Sequence, residues 1–434
     1  MIQKFKYGFI IFALIFPLIT LSACQTGNSR GYNNSSSRPP AAPAQQAPRI
    51  LNAPAAPVIS NTTQAQKNLP PVKVAILLPL SGQHKNLGDA MLKAAQMALF
   101  QIGHNNLELI PRDTKGTADG ARDAARSAIN AHAQLVLGPI FAANVRAAKP
   151  ITQSARVNMI AFSTDWTLAG GNTFIMGFLP FDQVERVTKF AAKHGIRRVG
   201  VLTPSSDYGR VVSSAFQTLA PRNGITITGT TNFPTNTSNL APIVSTFTRF
   251  EERKAANALN QTPFDAVLMP TGGQHARAIG SLLSHYDLPP RTVRRLGTGL
   301  LDEAALASEN NLEGTWFAAP SPNSRRNFEQ QFTNTYGHRA PRLSTLAFDA
   351  TALSAVLAKR GFQNGNKPAF DKRSIASPNG FSGLDGIFRF RDNNTIERGL
   401  AVLEYRRGQI VVIDDAPKTF QQPTQNAQAA ETKF

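Results

Sequence analysis

Cysteine occurs once in the 434 residues, at Cys24. One thiol forms no intramolecular disulfide, and the chain beyond it has neither a cysteine nucleophile nor a thiolate metal site. Long apolar runs are scarce too. The run over residues 9–21 is shorter than the 18 or more residues of a membrane span, and Pro17 interrupts it. Acids are few: 27 Asp and Glu face 46 Lys and Arg, a formal net charge of +19. That surplus bears on nonspecific partners rather than on fold. Catalytic signatures are missing as well, with no G-x-S-x-G elbow, no H-E-x-x-H helix and no G-x-x-x-x-G-K-[ST] loop. The histidines (His84, His104, His132, His194, His275, His285 and His338) stand singly, without clustered carboxylates. No catalytic residue, metal or cofactor is therefore expected.

What is present begins with a leader. Lys4 and Lys6 precede the apolar run, and Leu21-Ser22-Ala23-Cys24 closes it, the layout of a secretory signal peptide over residues 1–23. Its end resembles the lipobox of bacterial lipoproteins. The resemblance implies that Cys24 is diacylated, becomes the new N-terminus and is acylated again. Several acyl chains hold a protein durably, because each buried methylene contributes about 0.8 kcal/mol and two chains suffice. Gln25 in place of Asp resembles the outer-membrane address of lipoproteins in enteric-type bacteria. The expected location is the cell envelope, facing the periplasm. Export also turns the basic charge away from nucleic acid, towards phospholipid head groups, lipopolysaccharide and peptidoglycan. A generally basic proteome is the alternative source of that charge.

Residues 24–71 are rich in Ser, Asn, Pro, Ala and Gln, and after Cys24 carry Arg30, Arg38, Arg49 and Lys67 but no acid. Such a segment buries too little apolar surface to offset its ordering entropy, so it reads as a disordered tether. A flexible chain of that length reaches about 35–40 Å. The tail over residues 416–434 has the same character. Between them short apolar runs alternate with amphipathic helical patterns. Strands are predicted at 72–78, 107–110, 134–137 and 158–161, with helices at 87–100, 118–131 and 143–152. The rhythm repeats with strands at 199–202, 225–230, 266–269 and 293–296 and helices at 182–194, 208–219, 240–258 and 274–285. A strand over 313–319, a long helix over 343–359 and a terminal β region over 386–413 complete it. This alternation predicts an α/β fold of two doubly wound parallel-sheet lobes, with ligand space at the carboxyl ends of the strands. The first lobe is expected over 72–178 and 323–382, the second over 182–318 and 386–415.

Several segments carry a family resemblance: Val74-Ala75-Ile76-Leu77-Leu78-Pro79-Leu80-Ser81-Gly82 with Gly88, Asp113-Thr114-Lys115-Gly116, and Val136-Leu137-Gly138-Pro139. Ile160-Ala161-Phe162-Ser163-Thr164 and Val199-Gly200-Val201-Leu202 with Asp207-Tyr208-Gly209 add to them. In this order they resemble the type I periplasmic binding proteins, specifically the leucine/isoleucine/valine-binding family, over residues 72–415. The resemblance implies two lobes joined by three crossovers, expected near 177–181, 318–322 and 380–386, closing on a ligand between them. The cleft positions it implies are Ser81, Ala142, Ala143, Ser163, Thr164, Asp165, Tyr208, Gln274 and Thr298. Amino-acid binders of that family hold the carboxylate with hydroxyls and helix N–H groups, and the ammonium with an acid of the second lobe. Here Ala142 and Ala143 stand where a hydroxyl is expected, and the loop Gly297-Thr298-Gly299-Leu300 has no acid before Asp302. Asp165 and Asp302 are the acids that could substitute. Gln274 stands where a tyrosine is expected. Trp166 could stack on a planar ligand or simply pack, and His275 could face the cleft or cap a helix.

The run Ile160 to Asp165, followed by Ala169-Gly170-Gly171-Asn172, is more similar to the lipoproteins known as penicillin-binding-protein activators. That likeness implies a non-enzymatic envelope protein acting on a penicillin-binding synthase in peptidoglycan synthesis. The best-known activators also have a helical-repeat N-terminal domain, in whose place the short tether over residues 24–71 is expected here. The alternative is a substrate-binding lipoprotein of an ABC importer, partnered by a permease and taking up amino acids or a related small ligand. Either way the membrane is met through acylated Cys24.

Overall fold

The computed structural model describes residues 69–103 and 106–420. Cys24, the leader, most of the tether and the end of the tail lie outside the described residues.

The first half runs β1 (Val72–Leu78), α1 (Lys85–Ile102), β2 (Leu107–Asp113), α2 (Ala118–Asn130), β3 (Leu135–Leu137), α3 (Ala142–Ser154), β4 (Asn158–Ala161) and β5 (Thr173–Ile175). These strands form one parallel sheet in the order β2-β1-β3-β4-β5. Strand β1 is almost wholly buried, as expected of a central parallel strand covered on both faces. Helix α2 starts on Thr117, whose hydroxyl accepts from Gly120 N at 3.1 Å, and buries Ala121, Ala124, Ala125 and Ala128 at helical spacing.

The second half follows with α4 (Pro180–Lys193), β6 (Arg198–Pro204), α5 (Asp207–Arg222), β7 (Thr226–Phe233), α6 (Ala241–Phe247), α7 (Phe250–Ala255), β8 (Ala266–Leu268), α8 (Gly273–His285), β9 (Arg294–Gly297), α9 (Ala304–Ala307) and β10 (Trp316–Ala319). The chain then returns to the first lobe as α10 (Pro322–Tyr336), α11 (Ser344–Asn364), α12 (Lys372–Ile375), β11 (Phe381–Gly383), β12 (Gly386–Phe390) and β13 (Ile396–Arg398). It ends in the second with β14 (Ala401–Arg406) and β15 (Gln409–Asp414). The second sheet reads β7-β6-β8-β9-β10-β14-β15. Its first five strands are parallel and repeat the 2-1-3-4-5 order of the first sheet, while β14 and β15 are antiparallel. The α/β fold with parallel sheets is thus as predicted from the alternation, with an antiparallel edge added to one lobe.

One glycine per lobe shows how closely each first helix sits on its sheet. A Cβ at Gly88 in α1 would lie 2.0 Å from Pro79 O, and one at Gly209 in α5 would lie 2.0 Å from Pro204 O. Any side chain there would push the helix off the strand end. The first-lobe core is completed by α11, which buries most of its surface around the helix and packs on α1.

Four expectations need correction. The β region from 386 does not all belong to the second lobe. Strands β11–β13 form a separate antiparallel sheet, and Phe381, Phe388, Phe390 and Ile396 join the first-lobe core. The chain therefore crosses for the third time at residues 399–400, later than 380–386; the other crossings are at 176–179 and 320–321. The reason is packing: Phe390 meets Phe174 edge-on at 5.2 Å, a contact no local pattern announces. The helix over 240–258 is two helices, broken before Arg249, which takes a left-handed φ of 50°. Helix α10 is an addition, hidden by its polar sequence, with Phe328 and Phe332 as its apolar contacts to α1 and α11. The tail begins later than 416, since Phe420 lies under the Arg389 guanidinium at 4.6 Å.

Candidate functional site

A cleft of about 730 Å³ opens at the carboxyl ends of the strands, between the two lobes. The first lobe contributes Ala142 and Thr164 to Thr167; Pro180 and α5, through Asp207, Tyr208, Arg210, Val211 and Ser214, contribute the other wall. Alternation places it there, because each strand's end leads into a loop and the start of the next helix. Helix α3 begins at Ala142 with its first N–H groups lacking intrahelical partners, and Phe141 supplies no side-chain cap. The exposed Thr164 hydroxyl lies along the same wall. An anion suits such a helix start.

The charged groups of the cleft are already paired. Asp165 Oδ1 accepts from Thr167 N at 3.1 Å and from Thr167 Oγ1 at 2.5 Å, and Arg146 approaches its other oxygen at 3.4 Å. Asp207 is paired with Arg210 one turn along α5. Trp166 meets Phe181 edge-on at 5.0 Å, so its indole serves packing and cleft wall together.

Behind that wall the second-lobe loops close on themselves. The Tyr208 hydroxyl donates to Thr298 Oγ1 at 2.8 Å. Burial pushes its phenol up to about 12, only partly offset by the Thr298 bond, so it stays a neutral donor. Gly299 N donates to Gln183 Oε1 at 2.7 Å, and Gln183 Nε2 donates to Leu179 O at 2.9 Å. The loop expected to receive an ammonium therefore presents no carboxylate.

Asp302, the acid next along this loop, is buried elsewhere. Its two oxygens accept from Arg325 Nη2 at 2.9 and 2.8 Å, and Arg342 Nε lies 3.4 Å away. Arg342 also binds Asp385 at 2.8 Å, and Asp385 accepts from Thr345 Oγ1 at 2.6 Å. These ion pairs join the second lobe, through Asp302, to first-lobe helices beside the crossover at 320–321. Burial pushes the Asp349 carboxyl up to about 7, assisted by the charge of Asp385 and opposed by the N–H of Leu384. Asp385 is held below the usual carboxylate range: burial pushes it up, and Arg342 and Arg398 outweigh that.

Of the positions read from the sequence, Ala142, Thr164, Asp165 and Tyr208 meet in the cleft. Ser163 is buried beneath it, accepting from Asp165 N at 3.1 Å. Thr298 is buried behind Tyr208. Ser81 donates to Asp113 Oδ2 at 2.6 Å and braces a turn. Ala143 on α3 and Gln274 on α8 are exposed outside the cleft lining, and His275 reaches Thr237 O at 3.3 Å. Cys24 lies outside the described residues. The sequence reading missed Thr167, Pro180, Asp207, Arg210, Val211 and Ser214. Residues 207, 210, 211 and 214 share one face of α5, but helical spacing does not say that this face meets the cleft.

No curated protein matches the chain in sequence. Solved structures do match in fold. An ABC transporter substrate-binding protein from Sphaerobacter thermophilus is 19% identical, with a TM-score of 0.63 over 80% of this chain and 98% of its own. A solute-binding protein of an ABC transporter from Rhodopseudomonas palustris BisB5, in complex with 3,4-dihydroxybenzoic acid, is 18% identical, at 0.58 over 82% and 99%. The branched-chain amino acid substrate-binding protein LivJ of Streptococcus pneumoniae, in complex with isoleucine, is 18% identical, at 0.57 over 80% and 100%. Residues 71–409 match the family model described as periplasmic binding protein. With two lobes of matching strand order, a cleft at their carboxyl ends and that match over most of its length, the chain belongs to the periplasmic binding proteins, of the leucine-binding-like type.

Proposed function

We propose that this protein is a non-enzymatic, lipid-anchored, periplasm-facing receptor that captures a small carboxylate with an aromatic or apolar body and presents it to an ABC permease. One observation carries the ligand class: the two cleft walls differ. The first lobe offers an uncapped helix start and the Thr164 hydroxyl, suited to a carboxylate. The second offers Tyr208 and Val211; its one lining acid, Asp207, is paired with Arg210, and the Thr298–Gly299 loop is bonded internally. A zwitterion would leave its ammonium unpaired there, at a cost of several kcal/mol. A ring could lie between Trp166 and Tyr208. The relative in complex with 3,4-dihydroxybenzoic acid supports this class, and the relatives from ABC transporters support the permease as partner. The missing ammonium clamp equally favours a second reading, in which the lobes serve as a docking surface on a penicillin-binding synthase and need no ligand.

Calorimetry on the mature chain separates these readings. Benzoate or 3,4-dihydroxybenzoate is expected to bind, while leucine, isoleucine and valine give no heat at millimolar concentration. Thr164→Val is expected to weaken the carboxylate at least tenfold, by about 1.5–3 kcal/mol for a hydrogen bond to a charged group. Micromolar binding of isoleucine would replace this ligand class with amino acids. Binding of no small carboxylate, together with recovery of a penicillin-binding synthase from membranes, would replace transport with the docking reading.

A further inference from the structure

A second concavity, of about 930 Å³, lies at the opposite end of the first-lobe sheet from the cleft. Gln134, Val157 and Asn158, at the amino ends of β3 and β4, line it. Its rim carries His132, Arg156, Lys367 and Lys372, all exposed. Arg156, Lys367 and Lys372 form no ion pair among the described residues, although Lys372 Nζ approaches Asp392 O at 3.5 Å. The single acid of the lining, Asp371, is already used. Its oxygens accept from Ser374 N at 3.0 Å and Ser374 Oγ at 2.7 Å. Beneath the rim the wall is apolar, with Val157, Pro368 and Phe370. The segment leading in adds charge: from Lys359 to Arg373 the chain has five cations and one acid.

The chain enters the fold on this same face. Strand β1 begins there, Gln134 N donates to Lys73 O at 2.8 Å, and Lys73 N donates to Gln134 Oε1 at 3.2 Å. Residue 69 therefore emerges at this end of the sheet, where Leu69 O accepts from Asn106 Nδ2 ahead of β2, while the cleft opens at the far end of the strands. Under the reading above, the segment from Cys24 to residue 68 runs from the membrane to this edge.

We propose that this basic concavity docks the first lobe on the anionic phospholipid head groups of the membrane to which Cys24 is tethered, turning the cleft outward. Charge complementarity selects phosphate-bearing lipid, and the apolar wall accommodates the part below the phosphate. A cation held at an anionic surface is worth about fivefold in binding. This proposal rests on the lipid-anchor reading for its orientation, but the binding itself does not require the acyl chains.

The test is vesicle flotation of the full mature chain carrying Cys24→Ala. Vesicles of phosphatidylcholine alone are compared with vesicles containing 30% phosphatidylglycerol. Binding is expected only to the anionic vesicles and is lost at 0.5 M NaCl. The triple variant Arg156→Asn, Lys367→Gln, Lys372→Gln is expected to bind at least tenfold more weakly with an unchanged melting temperature. A control removing equal charge from the second lobe (Lys193→Gln, Arg222→Gln, Arg291→Gln) is expected to stay within twofold of the parent. Equal weakening in both triples would overturn the proposal, leaving net charge alone. So would wild-type binding by the first triple, which would assign it to Arg30, Arg38, Arg49 and Lys67. Displacement by 10 mM inorganic phosphate at constant ionic strength would overturn it in favour of a small-anion pocket. Mass spectrometry of native Cys24 tests the anchor separately: an unacylated cysteine would sink that reading without altering the flotation result.

Discussion

In the cleft, Asp207 and Arg210 are exposed and Asp165 is half-buried, and each pairs with a near neighbour: Asp207 with Arg210 on the same helix, Asp165 with Thr167 and more loosely with Arg146. Beside the crossover at 320–321 the arrangement is reversed. Asp302, Arg325 and Asp385 are buried, and their bonds tie segments far apart in the chain. Solvent-exposed pairs contribute little, about 0–1 kcal/mol, and exchange partners readily. Buried pairs lose much if one member goes, because the survivor is left charged and dry. The difference teaches where each kind of polarity is used. The cleft keeps hydroxyls and N–H groups available for a ligand, while the crossover region fixes how Asp302 meets the first-lobe helices.

The sharpest way to break this contrast is Arg325→Met. Asp302 would keep only the 3.4 Å approach of Arg342, and a loss of about 3–5 kcal/mol is expected. Urea denaturation measures it. Adding Asp302→Leu should recover most of the loss, because an apolar pair then replaces a lone charge. If Arg325→Met costs less than 1 kcal/mol, the buried pairs are no more important than those of the cleft.

Titration gives a second test. The Asp349 carboxyl sits at about 7 in the folded protein, raised by burial and by Asp385, against about 3.9 unfolded. Between those values the folded state holds a proton that the unfolded state has lost. This group's contribution is therefore full below about pH 4 and is lost as pH rises through 7. Asp349→Asn is expected to flatten that slope and to be the more stable protein at pH 8, by on the order of 2 kcal/mol. Denaturation at pH 5 and pH 8 checks it; an unchanged slope would show that Asp349 is ionised throughout.

The smallest expected effect lies on the cleft wall. Tyr208→Phe leaves Thr298 Oγ1 without its donor and should cost about 1 kcal/mol. If the Tyr208 hydroxyl is free to serve a ligand instead, stability will hold and affinity will fall.

The repeated strand and helix pattern made both sheets legible, because burial on both faces demands continuous apolar strands such as Val72–Leu78. Half of the cleft was legible for a related reason: Thr164, Asp165 and Tyr208 occupy strand-end loops and helix starts, where the topology puts ligand space. The α5 residues Arg210, Val211 and Ser214 were not, because facing the other lobe is a relation between lobes that periodicity does not encode. Asp302 is the clearest case. Its place in the chain suggested an acceptor for an ammonium, and only packing reveals that two arginines from residues 325 and 342 take it.

Taken alone, the amino-acid sequence decided the fold class, the lack of a disulfide within these 434 residues, and the absence of a local metal-binding or catalytic motif. These follow from residue types and from short-range spacing. Tertiary structure decided the rest: the third crossing at 399–400, the closed second-lobe loop and the buried ion pairs. Each depends on side chains from distant segments meeting in a dry interior, where an unpaired polar group is costly and long-range pairing determines which groups remain free.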